Sequence, residues 1–260
     1  MNYRISILFC LLWSTCSLLA QQESTSLPFQ NQVRIQVGLD RTLVKDQVFA
    51  PLNFKGSGLA LSSTYLRQTK NEHLSVATLQ FALSAVKARP SDFSASRSIN
   101  GHLDLAHFRK IKWANEKLNL FVGGAVSADI SLIDFDEFEA FSFTNLYAIG
   151  PAALLTWQPA SAHQVSLRAD FPLLGILVRP AYTGWDNEFF EKSTLRLFFE
   201  GPLATVVDFS RASVQMNYAF TVSSGMSLSF QHQMSYLAAK EPGPARNFHS
   251  LTTIGTQFNF

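Results

Sequence analysis

The sequence predicts an all-β fold: a closed antiparallel transmembrane β-barrel of about ten strands, with twelve as the alternative count. Several segments alternate apolar and polar residues over about eleven residues, close to the roughly 9–11 that a tilted strand needs to cross a bilayer. Charged residues make up only 15% of the chain, below the roughly 25% of soluble domains. Beyond residues 1–20, no apolar run reaches the roughly 18 residues of a spanning helix.

Residues 1–20 have the composition of a secretory signal. Arg4 gives a basic start, residues 5–12 are almost wholly apolar, and small residues lead to Ala20 before a polar run begins. An N-terminal membrane anchor is one alternative, but no cluster of Lys or Arg follows the apolar stretch. A lipoprotein start is another, although Thr15 before Cys16 fits it poorly. We expect residues 21–260 to form the barrel as one domain.

The only two cysteines, Cys10 and Cys16, lie inside this predicted signal. The mature chain is therefore expected to contain no disulfide, thiol nucleophile or Cys-ligated zinc. We expect no metal and no cofactor. The formal net charge of +2 gives no indication of nucleic-acid binding.

Period-two alternation locates the strands in chain order. The clear segments are residues 33–40, 118–132, 164–171, 213–222, 226–236 and 248–260. Weaker candidates lie near residues 54–67, 74–87, 101–113 and 141–157. A soluble two-sheet sandwich also alternates, but its strands are usually shorter, at about 5–6 residues. The length of the alternation favours the barrel.

The links between these segments alternate between two kinds. The short ones are residues 69–72, 114–117, 158–162 and 223–225, and the longer ones are residues 43–53, 88–100, 134–140, 183–204 and 240–247. Short periplasmic turns and longer external loops are typical of outer-membrane barrels. Ten strands would place both termini on the periplasmic side. An extra hairpin at residues 195–199 would raise the count to twelve.

Pro172 lies inside a proposed strand, where it removes a hydrogen-bond donor. We expect either a bulge there or a strand that ends near Phe171. Two tryptophans, Trp113 and Trp157, each end a strand just before a short turn. This position predicts an aromatic belt at the inner membrane interface.

The C-terminal strand ends in Phe260, with Phe258 and Ile254 in the same phase. This pattern resembles the assembly signal of Gram-negative outer-membrane barrels. The resemblance implies an outer-membrane location, contact with outer-membrane lipid and recognition by the barrel-assembly machinery. Residues 171–182 are similar to segments of small uncharacterised barrels of the Bacteroidota.

Six charged residues fall on the inward phase of the predicted strands. They are Arg34, Asp104, Asp129, Arg168, Asp170 and Arg211. We expect opposite charges to pair and to fill the narrow lumen as a polar core. Arg168 and Asp170 are near neighbours on one face, where a salt bridge can form. The alternative is that these charges tune conduction through a pore.

No motif of a soluble enzyme is present: neither a phosphate-binding glycine loop, nor paired zinc-type histidines, nor a Gly-x-Ser-x-Gly elbow. His249 and Ser250 are adjacent, but neighbours on a strand point to opposite faces and cannot form a catalytic dyad directly. His232 falls on the lipid phase, where a membrane interface position would account for it. We therefore predict no enzymatic activity, with a membrane-embedded hydrolase of lipid or peptide as the alternative.

Aromatic and acidic residues are mixed in the predicted external loops at residues 135–139 and 185–191. Such loops can either bind an envelope partner or anchor at the interface. The function predicted from the sequence is a scaffold or component of an envelope complex, or a narrow passive pore.

Overall fold

The computed structural model of the protein describes residues 30–48, 50–69, 72–88, 96–111, 117–135, 140–179 and 199–260. The predicted signal and its cleavage position lie outside the described residues. Within those ranges, no helix has both the length and the apolar character that crossing a membrane requires.

Twelve strand segments form one antiparallel sheet. They are β1 (Gln30–Asp46), β2 (Ala50–Gln68), β3 (His73–Ala88), β4 (Ser96–Ile111), β5 (Leu118–Phe135), β6 (Ala140–Ala160), β7 (His163–Asp170), β8 (Leu174–Val178), β9 (Leu203–Thr205), β10 (Phe209–Ser223), β11 (Met226–Ala239) and β12 (Ala245–Asn259). β1 pairs with both β2 and β12, and β5 pairs with β6. The sheet therefore closes on itself and leaves no barrel edge.

These segments build a barrel of ten strands, as predicted. β7 and β8 both pair with β6, along different parts of its length, and act as one interrupted strand. β10 pairs with β7 and β9 pairs with β8, so β9 and β10 continue one another in the same way. The hairpin considered at residues 195–199 lies, apart from Phe199, outside the described residues.

The interruption between β7 and β8 lies at Pro172, as its missing N–H requires. The flanking residues keep the ladder: Phe171 N donates to Pro151 O at 3.1 Å and Leu173 N donates to Ile149 O at 2.9 Å. Pairing resumes with Leu174 opposite Ile149. The proline therefore shifts the register locally without opening the barrel wall.

The first strand begins beside the C-terminal residue, at one end of the barrel. Asn31 N donates to Phe260 O, and Phe260 N donates to Asn31 O, each at 2.9 Å. This end, which we call the terminus end, also carries the short links at residues 69–72, 112–117, 161–162 and 224–225. The opposite end, the loop end, carries the longer link at residues 179–202. By the usual asymmetry of such barrels, the terminus end faces the periplasm.

Apolar side chains cover the outside of the barrel, whereas polar side chains share the inside with apolar clusters, such as Phe108 with Phe121. Leu59 is 72% exposed, and the apolar residues Ile35, Leu79, Leu105, Val126, Met216 and Phe230 are also exposed on the outward phase. Buried residues on the inward phase include Gln36, Ser62, Gln231 and Gln257. A soluble domain shows the opposite distribution, so the outer surface has lipid as its solvent.

The strands extend beyond the segments that alternate clearly in the sequence. β1 begins at Gln30 and ends at Asp46, whereas clear alternation covers residues 33–40. Outward charges such as Arg41 and Lys45 follow the apolar positions near the loop end. The hydrogen-bonded ladder therefore extends beyond the lipid-facing part of the barrel. The alternation of apolar and polar residues is lost there because the outer face contacts water.

Candidate functional site in the barrel interior

Arg168 on β7 joins two strands that are not neighbours in the barrel wall. Its Nη2 atom lies 2.7 Å from an Asp104 carboxylate oxygen on β4 and 2.7 Å from an Asp170 oxygen on its own strand. Its guanidinium also lies 5.5 Å from the centroid of the Phe108 ring. Asp170 Oδ1 accepts hydrogen bonds from both Nε, at 3.0 Å, and Nη2, whereas the contact with Asp104 is an ion pair without hydrogen-bond geometry. We call Arg168, Asp104 and Asp170 the Arg168 cluster.

A second cluster joins β10, β5 and β4 and comprises Arg211, Asp129 and His102. Arg211 Nη2 donates to Asp129 Oδ1 at 3.0 Å, and His102 Nδ1 lies 2.7 Å from the same oxygen. Arg211 is buried, whereas the Asp129 side chain keeps some access to a cavity. We call this group the Arg211 cluster.

A third group surrounds Asp40. The hydroxyls of Thr42 and Ser84 donate to Asp40 Oδ2 at 2.8 Å and 2.7 Å. His249 Nδ1 lies 2.7 Å from Thr42 Oγ1 and 3.5 Å from Asp40 Oδ1. The sequence places Asp40 on the polar face of β1. Its partners on β3 and β12 cannot be identified without knowing the register between the strands.

At the loop end, Arg179 holds three parts of the chain together. Its Nη2 donates to Asp46 Oδ1 at 2.9 Å, and its Nη1 donates to Glu241 O at 2.7 Å and to Gly243 O at 2.8 Å. Ser142 Oγ donates to the other Asp46 oxygen at 2.8 Å. This contact set closes the interior below the external loops. Sequence reasoning missed it because Arg179 follows the last residue of β8.

Small cavities remain between these groups. One of about 80 Å³ is lined by the Arg211 cluster together with Asp40 and His249. Another of about 200 Å³ lies at the terminus end, bounded in part by Arg34, Lys110 and Arg168. A cavity volume of roughly 10–15 Å³ is enough to hold one water, so each cavity has room for several waters.

The six charges predicted on the inward phase all lie inside the barrel. Five of them belong to the Arg168 and Arg211 clusters, and the salt bridge between Arg168 and Asp170 is present. Arg34 stands apart: its described polar contacts are hydrogen bonds to Gln257 Oε1, at 2.9 Å from Nη2 and 3.3 Å from Nε. The functional roles of these charges, in conduction or in structure, remain predictions.

The predicted aromatic residues lie on the outer surface where the structure describes them. Trp157 is 48% exposed near the terminus end, and Trp113 lies outside the described residues. Phe258 is opposite Val33 in the seam between β12 and β1. Phe260 is 65% exposed. Their proposed parts in anchoring and in assembly are considered below.

His249 does not have the geometry of a catalytic relay with Thr42 and Asp40. Thr42 Oγ1 and Asp40 both approach the same nitrogen of His249, Nδ1, whereas a relay needs the nucleophile and the acid on different ring nitrogens. His232, on the lipid face, has its Nδ1 at 2.9 Å from Thr252 Oγ1 on the adjacent strand. In the part of the chain described, no group of three or more His, Cys, Asp or Glu side chains could hold a metal ion.

Comparison with known proteins assigns no family to the chain. No family model matches the chain, and no curated protein matches it. Among solved structures, the outer membrane protease OmpT from Escherichia coli has a TM-score of 0.49 at 9% identity, over 93% of this chain and 100% of that one. Neisserial surface protein A gives 0.38 at 8% identity, over 88% and 97%. The translocator domain of the autotransporter NalP from Neisseria meningitidis gives 0.37 at 9% identity, over 97% and 96%.

The architecture itself defines the class of protein. Ten strands close without an edge, apolar side chains face outward, and the interior holds buried polar and charged side chains beside apolar clusters. Only closed barrels and helices satisfy all backbone hydrogen bonds in lipid. The chain is an outer-membrane β-barrel protein of the Gram-negative type, located in the outer membrane.

Proposed function

We propose that the protein is a non-enzymatic outer-membrane scaffold, or a component of an envelope complex, whose lumen is closed. The observation that carries this proposal is the filled interior. The Arg168 and Arg211 clusters link non-neighbouring strands across it, and the inward-facing Gln36, Gln231 and Gln257 have almost no exposed surface. If the interior serves for packing, the outer loops and the outer surface are the parts that can bind partners.

Opening such a lumen would be energetically costly. Removing one partner of a buried ion pair costs about 3–5 kcal/mol, because the other charge stays buried without compensation. The Arg168 cluster combines two carboxylates with one guanidinium, so solvent or a solute would have to replace several short contacts at once. A closed lumen is therefore favoured over spontaneous conduction.

Conductance in planar lipid bilayers tests this proposal. We expect the refolded wild-type protein to give no stable current steps. Replacing Arg168→Ser together with Arg211→Ser shortens two of the filling side chains and should allow current. Arg109→Ser is the matched control, because Arg109 is exposed on the outward phase. Stable steps from the wild-type protein would overturn the proposal in favour of a passive pore.

A membrane-embedded hydrolase is the competing function, and the geometry at His249 argues against it. We expect phospholipid vesicles and a peptide mixture to remain unchanged after long incubation with the refolded protein. Turnover that His249→Ala abolishes would refute the non-enzymatic assignment. Because this assay does not depend on the lumen, it separates the two functions.

The partner of the scaffold is expected to be an envelope protein bound at the loop end. The supporting observation is that Arg179 fixes the base of this end through Asp46 and two backbone carbonyls, which gives the external links a rigid platform. Crosslinking in intact cells at Gln47, which is exposed there, should capture a protein. Crosslinks from the equivalent probe at Ser224, at the terminus end, serve as the control for unspecific capture.

A further inference from the structure

The cavity of about 200 Å³ at the terminus end has a basic lining. The described side chains that bound it include Arg34, Lys110 and Arg168 and no carboxylate. Two of these cations already have acidic partners, since Lys110 Nζ lies 3.0 Å from Glu72 and Arg168 is held by Asp104 and Asp170. Arg34 has none among the described residues.

Arg34 is also incompletely hydrogen-bonded. It is 5% exposed, and two of its N–H groups point to one neutral oxygen, Gln257 Oε1. A guanidinium carries five N–H donors in a planar fork. Its other donors have no partner in the part of the chain that the structure describes. A buried cation in this state is costly unless an anion compensates it.

We propose that this cavity binds a small oxyanion, a carboxylate or a phosphate, through Arg34. Two parallel N–H donors of a guanidinium match the two oxygens of such a group. The amides of Gln32, Gln68 and Gln215 also line the cavity and can donate to the remaining oxygens. The volume of about 200 Å³ has room for a small anion together with several waters. This site is independent of whether the barrel acts as a scaffold.

Isothermal titration of the refolded protein with inorganic phosphate, and separately with acetate, tests the site. Sodium chloride keeps the ionic strength constant. We expect saturable one-site binding of at least one probe, weakened at least about tenfold by Arg34→Gln. Arg34→Lys keeps the charge but loses the planar fork of donors, so its affinity should lie between those of the wild type and Arg34→Gln. Arg109→Gln, an outward cation near the terminus end, should bind like the wild type.

The outcomes separate cleanly. Binding of one probe alone would assign the anion class, and binding of both would show a general oxyanion site. No saturable binding, or equal affinity in Arg34→Gln, overturns the proposal. If Arg34→Gln does not fold, unchanged affinity in Arg34→Lys counts against the site and weakened affinity supports it.

A separate basic feature lies on the outer surface at the loop end. Its five residues, which we call the basic stripe, are Arg41 and Lys45 on β1, Arg246 on β12, Lys55 on β2 and Lys87 on β3. Lys45 lies directly opposite Arg246, and Lys55 lies directly opposite Lys87. Like charges in such positions repel. Among the described residues, none of the five has a carboxylate partner.

The basic stripe follows the apolar belt immediately. Arg41 is two residues beyond the exposed Leu39, and Lys87 is four residues beyond the exposed Leu83. At roughly 3.3 Å per strand residue, these side chains reach the headgroup level of the membrane. The loop end faces away from the periplasm, so the stripe meets the outer leaflet.

We infer that the basic stripe binds phosphate groups of the outer-leaflet glycolipid. This inference rests on the outer-membrane location and on the orientation with the terminus end in the periplasm. A phosphate bound between two paired cations attracts both of them and offsets their mutual repulsion. Basic clusters next to a membrane span attract anionic lipid. The repeated spacing along four neighbouring strands suits a headgroup with more than one phosphate.

Lipid retention tests the stripe. Wild-type protein is refolded with lipid A or with dephosphorylated lipid A, and bound lipid is counted by native mass spectrometry. We expect retention of lipid A only, and at least about a tenfold loss in Lys45→Gln/Lys55→Gln/Lys87→Gln. The control variant Arg67→Gln/Arg109→Gln/Lys117→Gln loses the same number of positive charges, but near the terminus end, and should retain lipid A. Equal retention by the stripe variant, or equal binding of dephosphorylated lipid, overturns the inference.

Heat-dependent gel mobility distinguishes this result from a folding failure. A folded stripe variant without lipid supports the site. If the triple variant does not fold, the single change Lys55→Gln decides, since Lys55 lies opposite Lys87 and beside β1. Reduced retention supports the stripe and wild-type retention contradicts it. Failure of the wild-type protein to enter vesicles would instead count against the membrane assignment.

Discussion

Arg168 Nη2 lies 2.7 Å from an Asp104 carboxylate oxygen, although β5 and β6 separate their two strands in the barrel wall. The contact therefore crosses the interior and does not follow the sheet. Together with Asp170 it ties the side of the barrel built by β4 to the side built by β7. Its strength is a direct measure of how firmly the lumen is closed.

Arg168→Met should destabilise the folded protein by about 3–5 kcal/mol, because two carboxylates would remain buried without their cation. Asp104→Asn alone should cost less, since Asp170 still pairs with the guanidinium. The double variant Asp104→Asn/Arg168→Met should be less destabilised than the sum of the single changes. Urea unfolding midpoints in lipid vesicles measure all three, and strictly additive effects would contradict the interaction.

Arg179→Gln should loosen the loop end. The arginine donates to two backbone carbonyls in the link between β11 and β12, and a shorter neutral side chain cannot reach them all. We expect faster cleavage after Lys240 by a lysine-specific protease. Arg246 lies near the same link but faces outward, so the Arg246→Gln variant should be cleaved at the wild-type rate. Equal rates for wild type and Arg179→Gln would show that the contacts do not hold the link.

Asp208 gives a pH dependence in the turn between β9 and β10. The backbone N–H of Thr205 donates to its carboxylate at 2.8 Å, and the Thr205 hydroxyl does so at 3.1 Å. The backbone hydrogen bond, then the hydroxyl, lower the pKa of Asp208 below its usual value. A lowered folded-state pKa means that the turn is stabilised above the ordinary aspartate pKa and loses this contribution as the pH falls through the folded value.

Carbon-13 NMR titration of the Asp208 carboxyl measures that shift. We expect Thr205→Val to keep the backbone bond and to return the pKa only part of the way to its usual value. An unshifted carboxyl in the wild-type protein would mean that the turn does not form as described.

Phe260→Ala should reduce the amount of assembled barrel in a Gram-negative host. The resemblance to an assembly signal lies in the side chain, whereas the backbone of Phe260 pairs with Asn31 in either variant. Refolding in vitro should therefore be unaffected. Phe171→Ala removes an exposed aromatic far from the C-terminus and serves as the control. Equal heat-shifted bands for Phe260→Ala and wild type in cells would contradict a role in assembly.

Sequence alternation alone predicted the ten strands, because a barrel in lipid reverses the normal distribution of polarity at every second residue. It also placed Arg34, Asp129 and the other inward charges in the lumen. Only the pair Arg168 and Asp170 could be predicted, since residues two apart share a face. The contacts of Asp104 with Arg168 and of Asp40 with His249 depend on the register between strands, which hydropathy does not encode.

The strand ends were less predictable for a related reason. β1 continues to Asp46, where the outward Lys45 and the inward Asp46 put polar residues on both faces and no alternation marks the ladder. Arg179 likewise binds through its long side chain from outside a strand, which no periodicity can show.

The stability of Leu59→Arg in a lipid bilayer tests the central claim most directly, namely that the apolar outer surface is solvated by lipid. Leu59 is 72% exposed near the middle of β2. In a soluble protein such an exposed substitution would change stability by less than about 0.5 kcal/mol. We predict a loss of about 2–4 kcal/mol in vesicles, with Gln47→Arg at the loop end unchanged. Wild-type stability of Leu59→Arg would contradict the membrane-spanning barrel.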